Sequence, residues 1–331
     1  SSQSQTLTLT FDDSDFKWKL ENHFHAFFAL PLLECGVTYF EHNANEHSSI
    51  SVPYSWPAAG ILEFMYTAFI RIEYRNMLRT RFDHCGTILI NRKTALTAAH
   101  CIKKNFQVYI WFYRKEYTVN VTFNNFHPNL QSIYSAYFGT HRFVTFSNDF
   151  PHVQMGAIHD IYIVRHPDYD EKTFQNDIAV IKFIDEIKLD RYIQVACLPE
   201  KTNPEKSLLS KLFGYVAGFS SAGSSFNSWV QQNIKLDLYN SSMCESVQPE
   251  KEKNWNVQIC AGEYNLHGNT TGQCHGDYGS ALLISDKVNG KQKYVASGIL
   301  SYDVPCSFEH SPAVYTKIEP YLDWINKLSK Y

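Results

Sequence analysis

Short runs of β-branched and aromatic residues, separated by turn residues, dominate the chain from Trp56 onward. The clearest runs are residues 68–74, 86–90, 107–113, 178–183 and 293–300. Many short strands with few helical periods are typical of β-barrels and β-sandwiches. The pattern therefore predicts an all-β fold.

The C-terminal segment has a different period. Behind Pro320, apolar residues recur at i, i+3, i+4 and i+7, which is the spacing of one face of an α-helix. This face consists of Tyr321, Trp324, Ile325 and Leu328. Since proline is favoured in the first turn of a helix, the segment predicts an amphipathic C-terminal α-helix that begins near Pro320.

Residues 1–43 show no sustained hydrophobic period and are rich in Ser, Thr, His and Phe. A segment of this composition buries little surface on its own. We expect it to be an N-terminal extension, comparable to a light chain, that is tethered through Cys35 to a main domain of residues 44–331. Several histidines lie in or near it, but no cysteine or carboxylate set converges on them, so no metal site is predicted.

Composition and charge exclude two classes of partner. A chain of 331 residues with 44% hydrophobic content can bury a substantial core, and its net charge of −3 gives no basic footprint for nucleic acid. The longest apolar runs, residues 24–33 and 61–70, are short and interrupted by Pro31 or Glu63. They are too short to cross a bilayer. We therefore expect neither a nucleic-acid partner nor a membrane span.

The cysteines indicate an oxidising compartment. There are eight of them, an even number with no Cys-x-x-Cys pair, and this usage favours disulfides over zinc or redox chemistry. Eight cysteines allow 105 pairings, so the sequence alone does not define the connectivity. Asn-x-Ser/Thr triplets at Asn120, Asn240 and Asn269 are candidate glycosylation sites. We expect a secreted, extracellular protein from which any signal peptide has been removed.

Three short segments contain the residue types of nucleophilic hydrolysis. They read Leu-Thr-Ala-Ala-His-Cys at 96–101, Asn-Asp-Ile-Ala at 176–179 and Cys-His-Gly-Asp-Tyr-Gly-Ser-Ala-Leu-Leu at 274–283. Such hydrolysis needs a histidine base beside an attacking hydroxyl, and a carboxylate that fixes the tautomer of the base. His100 and Asp177 supply the base and the carboxylate.

These segments resemble the histidine, aspartate and nucleophile motifs of the chymotrypsin/trypsin-like (S1) serine proteases, in the same chain order. Two further matches are residues 301–303, similar to the family's Ser-Trp-Gly strand, and residues 312–315, similar to Pro-Gly-Val-Tyr. The resemblance covers residues 54–331 and Cys35. It implies two six-stranded antiparallel β-barrels followed by a C-terminal α-helix.

The resemblance also implies a disulfide pattern. The pairs would be Cys85 with Cys101, Cys244 with Cys260, Cys274 with Cys306, and Cys35 with Cys197. The last pair would hold the N-terminal extension to the main domain, as in relatives that keep their activation segment after cleavage.

The main departure from the family is Tyr278, which stands where the nucleophilic serine is expected. A phenol has a pKa of about 10, and its ring places the oxygen well beyond the position of a serine hydroxyl. His100 and Asp177 are then vestigial, and no functional catalytic residue is predicted. Ser280 and Ala281 also replace the glycine and proline that close the family's loop.

The specificity pocket departs as well. Asp303 stands where the family has a glycine that leaves room for a substrate side chain, and the expected floor, Gly272 and Gln273, carries no anion. Residues 40–57 contain no Ile-Val-Gly-Gly-like start whose amine would pair with Asp277. We therefore expect an occluded pocket and a perturbed oxyanion turn.

These features predict a non-catalytic serine protease homologue, similar to the secreted homologues of invertebrates. It would bind proteins, such as proteases or proenzymes of an extracellular immune cascade, as a cofactor, adaptor or decoy, and no cofactor is implied. Two alternatives remain: an active endopeptidase that uses a rearranged nucleophile such as Ser280, and a glycan-coated surface protein without a defined ligand. The insertion within residues 121–152, without a regular strand pattern, either carries recognition or packs on the barrel.

Overall fold

The computed structural model describes residues 35–36, 67–74, 81–102, 105–110, 115–120, 134–139, 154–189, 193–201, 213–218, 232–263, 278–303 and 311–330. The described residues all belong to one compact unit, Cys35–Tyr331, and residues 1–34 lie outside the described residues. Of the expected extension 1–43, only Cys35 and Gly36 are described.

The described part contains fourteen strands. They are β1 Thr67–Tyr74, β2 Arg81–Asn91, β3 Thr94–Thr97, β4 Asn105–Ile110, β5 Lys115–Asn120, β6 Tyr134–Phe138, β7 Gln154–Arg165, β8 Ala179–Phe183, β9 Phe213–Gly218, β10 Gln232–Tyr239, β11 Gln258–Glu263, β12 Ala281–Val288, β13 Lys291–Asp303 and β14 Ser311–Lys317. The one α-helix in this part of the chain, α1, is Leu322–Ser329. The predicted all-β class with a C-terminal helix is confirmed.

Six strands of the N-terminal half close into an antiparallel barrel in the order β1-β2-β3-β8-β7-β6, because β6 pairs again with β1. Strands β4 and β5 form a separate two-stranded sheet. In the C-terminal half the pairing order is β9-β10-β11-β14-β13-β12, and β12 pairs again with β9 through Leu282 and Leu283.

The main hydrophobic cluster joins strands of both halves. Ile88 and Val180 from the first barrel contact a cluster that includes Leu283 and Ile299 from the second sheet, and all four side chains are fully buried. The residues of the candidate site lie on segments that border this cluster, so burial of apolar surface on both sides fixes their backbones.

The C-terminal helix follows its predicted pattern. Pro320 lies in a 3₁₀ turn, Glu319–Tyr321, that leads into α1. Tyr321 and Ile325 are buried in the main cluster, and Trp324 and Leu328 pack against it. No helix within the described residues is long and apolar enough to cross a membrane.

The expectation of an irregular segment within 121–152 is wrong for Tyr134–Phe138. These residues form β6 and complete the first barrel between β1 and β7. Ala136 and Phe138 alternate into the core, but the strand is only five residues long. A pattern this short, next to a polar and aromatic stretch, is difficult to recognise.

Candidate functional site

His100 is held by a short turn at the end of β3. The 3₁₀ turn Ala99–Cys101 buries Ala99 and Cys101, and Cys101 forms a disulfide with Cys85 on β2. The turn is therefore covalently attached to the first barrel on one side of His100. The imidazole is directed toward Asp177 and is largely covered, with 18% of the side chain exposed.

Asp177 is fully buried and accepts three hydrogen bonds on its carboxylate. Its Oδ2 lies 2.7 Å from His100 Nδ1 and 2.5 Å from Ser301 Oγ, which donates to it, and the backbone N–H of His100 donates to Oδ1 at 2.8 Å. The backbone carbonyl of Asp177 accepts from Thr316 Oγ1 at 3.1 Å. A buried carboxylate needs such partners, and they fix its orientation.

This arrangement determines which nitrogen of His100 carries the proton. Because the carboxylate accepts from Nδ1–H, Nε2 is the nitrogen without that proton, as in a histidine base. Nε2 lies 3.7 Å from the disulfide sulfur of Cys101. Within the described part of the chain, His100 makes no hydrogen bond with a side-chain hydroxyl.

Tyr278 is close to His100, but its hydroxyl is bonded elsewhere. The ring meets the imidazole edge-on, with centroids 5.3 Å apart and an interplanar angle of 80°. The hydroxyl donates to Asp303 Oδ1 at 2.9 Å, and Asp303 is 3% exposed. The phenol therefore reaches past the imidazole and ends on the carboxylate that was expected to crowd the pocket.

The backbone around Tyr278 is held by hydrogen bonds to strands β2 and β13. Gly86 N–H on β2 donates to the carbonyl of Tyr278 at 2.7 Å, and Gly279 N–H donates to the carbonyl of Leu300 at 2.9 Å. Gly279 has φ +84°, a conformation that favours glycine. Tyr278 therefore differs from the expected serine in its side chain, while backbone hydrogen bonds hold the turn in place.

Ser280 is buried against strand β2. It is 3% exposed, and a Cβ placed on Gly86 would lie only 1.9 Å from Ser280 Oγ. The hydroxyl therefore packs against the backbone of β2. Among the described residues, no hydrogen bond joins Ser280 to His100.

Phe174 stacks on the imidazole of His100. The two rings are stacked with centroids 5.3 Å apart and an interplanar angle of 7°. Phe174 and Tyr278 therefore both make ring contacts with His100. Sequence reasoning missed Phe174, although it lies only three residues before Asp177.

The cysteines near the site are bonded to each other. Cys85, His100 and Cys101 lie close enough to suggest a metal-binding group, but both sulfurs belong to the Cys85–Cys101 disulfide. Thiolates are the form of cysteine that binds metals, so this group does not form a metal site. The structure also contains Cys35–Cys197 and Cys244–Cys260. Cys274 and Cys306, the fourth expected pair, lie outside the described residues.

The other predicted positions are described only in part. Gly272, Gln273, Asp277 and Asn269 lie outside the described residues. Asn240 is exposed in front of the 3₁₀ turn Ser241–Cys244, and Asn120 is the last residue of β5.

Comparison with sequence models of protein families identifies the family of this chain. The sequence model of the trypsin family matches residues 63–325. The chain belongs to the trypsin family. The match includes the strands of both halves of the chain and the residues around His100, Asp177 and Tyr278.

Among curated proteins, this trypsin-family chain is similar to three insect proteins. It is 28% identical to melanization protease 1 of Drosophila melanogaster over 80% of the chain, and 29% identical to CLIP domain-containing serine protease B9 of Anopheles gambiae over 82%. It is 29% identical to phenoloxidase-activating factor 3 of Holotrichia diomphalia over 73% of the chain. The aligned regions span 62%, 62% and 63% of these relatives, respectively.

Proposed function

We propose that this chain is a non-catalytic member of the trypsin family, with two barrels, that acts by binding. The hydrogen bond from the Tyr278 hydroxyl to Asp303 carries the proposal. It directs the side chain at the nucleophile position toward a buried carboxylate, and among the described residues no side-chain hydroxyl is hydrogen-bonded to His100.

The energetic argument concerns the missing nucleophile. In a related serine hydrolase, loss of the nucleophile costs a factor on the order of 10⁶ in turnover. This factor corresponds to a barrier higher by roughly 8 kcal/mol. The bonds from His100 and Ser301 to Asp177 hold the base in a catalytic orientation, but a base without an attacking group does not recover that loss.

The pocket supports the same proposal. Asp303 lies on β13 at the expected pocket entrance, and its buried carboxylate is bonded to Tyr278. A substrate side chain entering there would have to break this bond and leave the carboxylate without its phenol donor. The cost of such a loss for a buried acceptor disfavours binding of a substrate side chain.

The proposed biological setting is an extracellular proteolytic cascade. The names of the relatives refer to melanization and to phenoloxidase activation, and the disulfides of this chain fit an oxidising, secreted environment. In this setting the chain would act as a cofactor, adaptor or decoy, with proteases or proenzymes as partners. Glycosylation at the exposed Asn240 would be compatible with this role.

The catalytic half of the proposal is tested with two probes on the purified protein. We expect no multiple-turnover cleavage of a fluorogenic peptide library, and no labelling of Ser280 by a phosphonylating serine probe followed by mass mapping. An active trypsin-family protease serves as the positive control. Steady cleavage that disappears in His100→Ala, or probe attached to Ser280, would overturn the proposal.

The binding half is tested by measuring association with the proteases and proenzymes of such a cascade at physiological salt. A partner with defined stoichiometry supports the cofactor, adaptor or decoy role. A protein that binds none of them would instead fit the glycan-coated alternative.

A further inference from the structure

Two loops meet beside the site formed by the rings of His100, Phe174 and Tyr302, which is called here the cleft. One is the turn of residues 170–176, and the other is residues 245–257, called here the plug loop, which connects the Ser241–Cys244 turn to β11. Gln175 Nε2 donates to the carbonyl of Glu252 at 2.7 Å, so a residue of the turn is bonded directly to the plug loop.

Lys251 of the plug loop places its ammonium group on aromatic rings of the cleft. Its Nζ lies 3.3 Å from the ring centroid of Phe174 and 5.5 Å from that of Tyr302. Burial lowers the pKa of Lys251, while Glu250 and Asp177 act to raise it. Cation–π attraction is strongest for a partly desolvated cation of this kind.

Phe174 adopts an unusual backbone conformation. Its φ of +58° lies in a region that bulky residues rarely adopt. Its N–H donates to the carbonyl of Asp170 at 2.8 Å, and its ring is stacked on His100. The phenyl ring of Phe174 therefore contacts both the imidazole of His100 and the ammonium group of Lys251.

A second residue of the plug loop bonds to β13. Gln248 Nε2 donates to the backbone carbonyl of Asp303 at 2.9 Å. The loop is braced behind this contact, because Lys253 Nζ donates to the carbonyls of Gln248 and Lys251 at 3.1 and 2.9 Å. The carbonyl of Asp303 is therefore occupied by a side chain of the same protein.

We infer that the plug loop is an intramolecular ligand of the cleft. The ammonium of Lys251 fills a cation site formed by the rings of Phe174 and Tyr302, and Gln248 takes the backbone acceptor at the end of β13. The matching external ligand is a primary ammonium group, such as a lysine side chain of a partner, and it binds once the loop is displaced. This inference rests on the loop contacts and holds whether or not the centre at Tyr278 is catalytic.

The test removes the internal cation and supplies a small one. Lys251→Ala and the wild type are titrated with n-butylammonium chloride, which reproduces the end of a lysine side chain, and with neutral n-butanol. Thermal unfolding and hydrogen exchange of residues 248–253 are measured. The matched control is Lys235→Ala, because Lys235 Nζ lies 4.1 Å from the ring of Phe213 in a different part of the fold.

We expect n-butylammonium to raise the melting temperature of Lys251→Ala in a saturable way, with half-saturation in the millimolar range of weak single-group binding. It should also restore slow exchange in residues 248–253. The wild type, Lys235→Ala and the n-butanol titrations should show no saturable change. Adding Phe174→Leu to Lys251→Ala should abolish the response.

Three results would overturn the inference. They are the absence of a saturable response in Lys251→Ala, an equal response in Lys235→Ala, and a wild type that binds the probe as well as the variant. If Lys251→Ala does not fold, Lys251→Ser is measured in its place. It also lacks the ammonium group, and the same three results would overturn the inference.

Discussion

At the scale of single residues, the site depends on two buried carboxylates with different donors. Asp177 accepts from His100 and Ser301, whereas Asp303 accepts from Tyr278. A buried carboxylate that loses a donor leaves part of its desolvation cost uncompensated. Replacing a donor therefore measures how much its hydrogen bond to the carboxylate contributes to the free energy of unfolding.

Tyr278→Phe removes the hydroxyl that donates to Asp303 and keeps the ring beside His100. We expect the free energy of unfolding to fall by about 1–3 kcal/mol, since a buried acceptor loses a hydrogen bond. Tyr302→Phe is the control, because among the described residues no carboxylate accepts a hydrogen bond from the buried Tyr302 hydroxyl. Urea denaturation of both variants checks this, and equal losses would contradict it.

Ser301→Ala removes the donor to Asp177 Oδ2. Because the acceptor is a carboxylate with no solvent exposure, we expect a loss of about 1.5–3 kcal/mol in the free energy of unfolding. Ser297→Ala on the same strand is the matched control, since Ser297 Oγ donates over 3.3 Å to the neutral carbonyl of Val295. A larger effect at Ser297 than at Ser301 would show that the bond to Asp177 contributes little.

At the scale of elements, the C-terminal helix is docked through an aromatic contact with His166. The imidazole meets Tyr321 and Trp324 edge-on, with centroids 5.0 and 4.9 Å apart. Its Nδ1 accepts from the backbone N–H of Asp168 at 3.2 Å, which requires an unprotonated nitrogen. Burial lowers the pKa of His166, and the nearby carboxylate of Asp168 offsets part of this effect.

This contact predicts a loss of stability in acid. The unfolded chain takes up a proton on this histidine near pH 6.5, while the folded chain resists it. The contribution of His166 is therefore fully present above about pH 6.5 and decreases as the pH falls through that value toward the lower folded pKa. Urea denaturation at about pH 7.5 and about pH 5.5 should show a smaller pH dependence for His166→Gln than for the wild type. An unchanged pH dependence would contradict the prediction.

At the scale of the whole molecule, the disulfides close loops of very different length. Cys35–Cys197 spans 162 residues, whereas Cys85–Cys101 and Cys244–Cys260 each span 16. In the chain-entropy description, a longer loop restricts the unfolded state more strongly. Of these three disulfides, Cys35–Cys197 should therefore contribute most to the free energy of unfolding.

The double variant Cys35→Ala with Cys197→Ala should lose about 5 kcal/mol of unfolding free energy, and Cys244→Ala with Cys260→Ala about 3 kcal/mol. Guanidinium denaturation of both double variants tests the order. A smaller loss for the longer loop would show that native packing around these cysteines, rather than the unfolded chain, determines their contribution.

The sequence by itself determined the class of fold, the C-terminal helix and the central residues of the site. These follow from local patterns: short runs of β-branched and aromatic residues separated by turn residues, a helical period behind Pro320, and the motifs around His100, Asp177 and Tyr278. Such patterns are visible because each is contained within a few neighbouring residues.

Only the tertiary structure decided where the side chains of the site are directed. The hydroxyl of Tyr278 finds Asp303 across 25 residues, Ser301 reaches Asp177 across 124, and Gln175 meets Glu252 across 77. Strand register and loop conformation set these contacts, including the positive φ of Phe174 that brings its ring onto His100. No short stretch of sequence encodes them, because each bond depends on two distant segments being held in place by the same core.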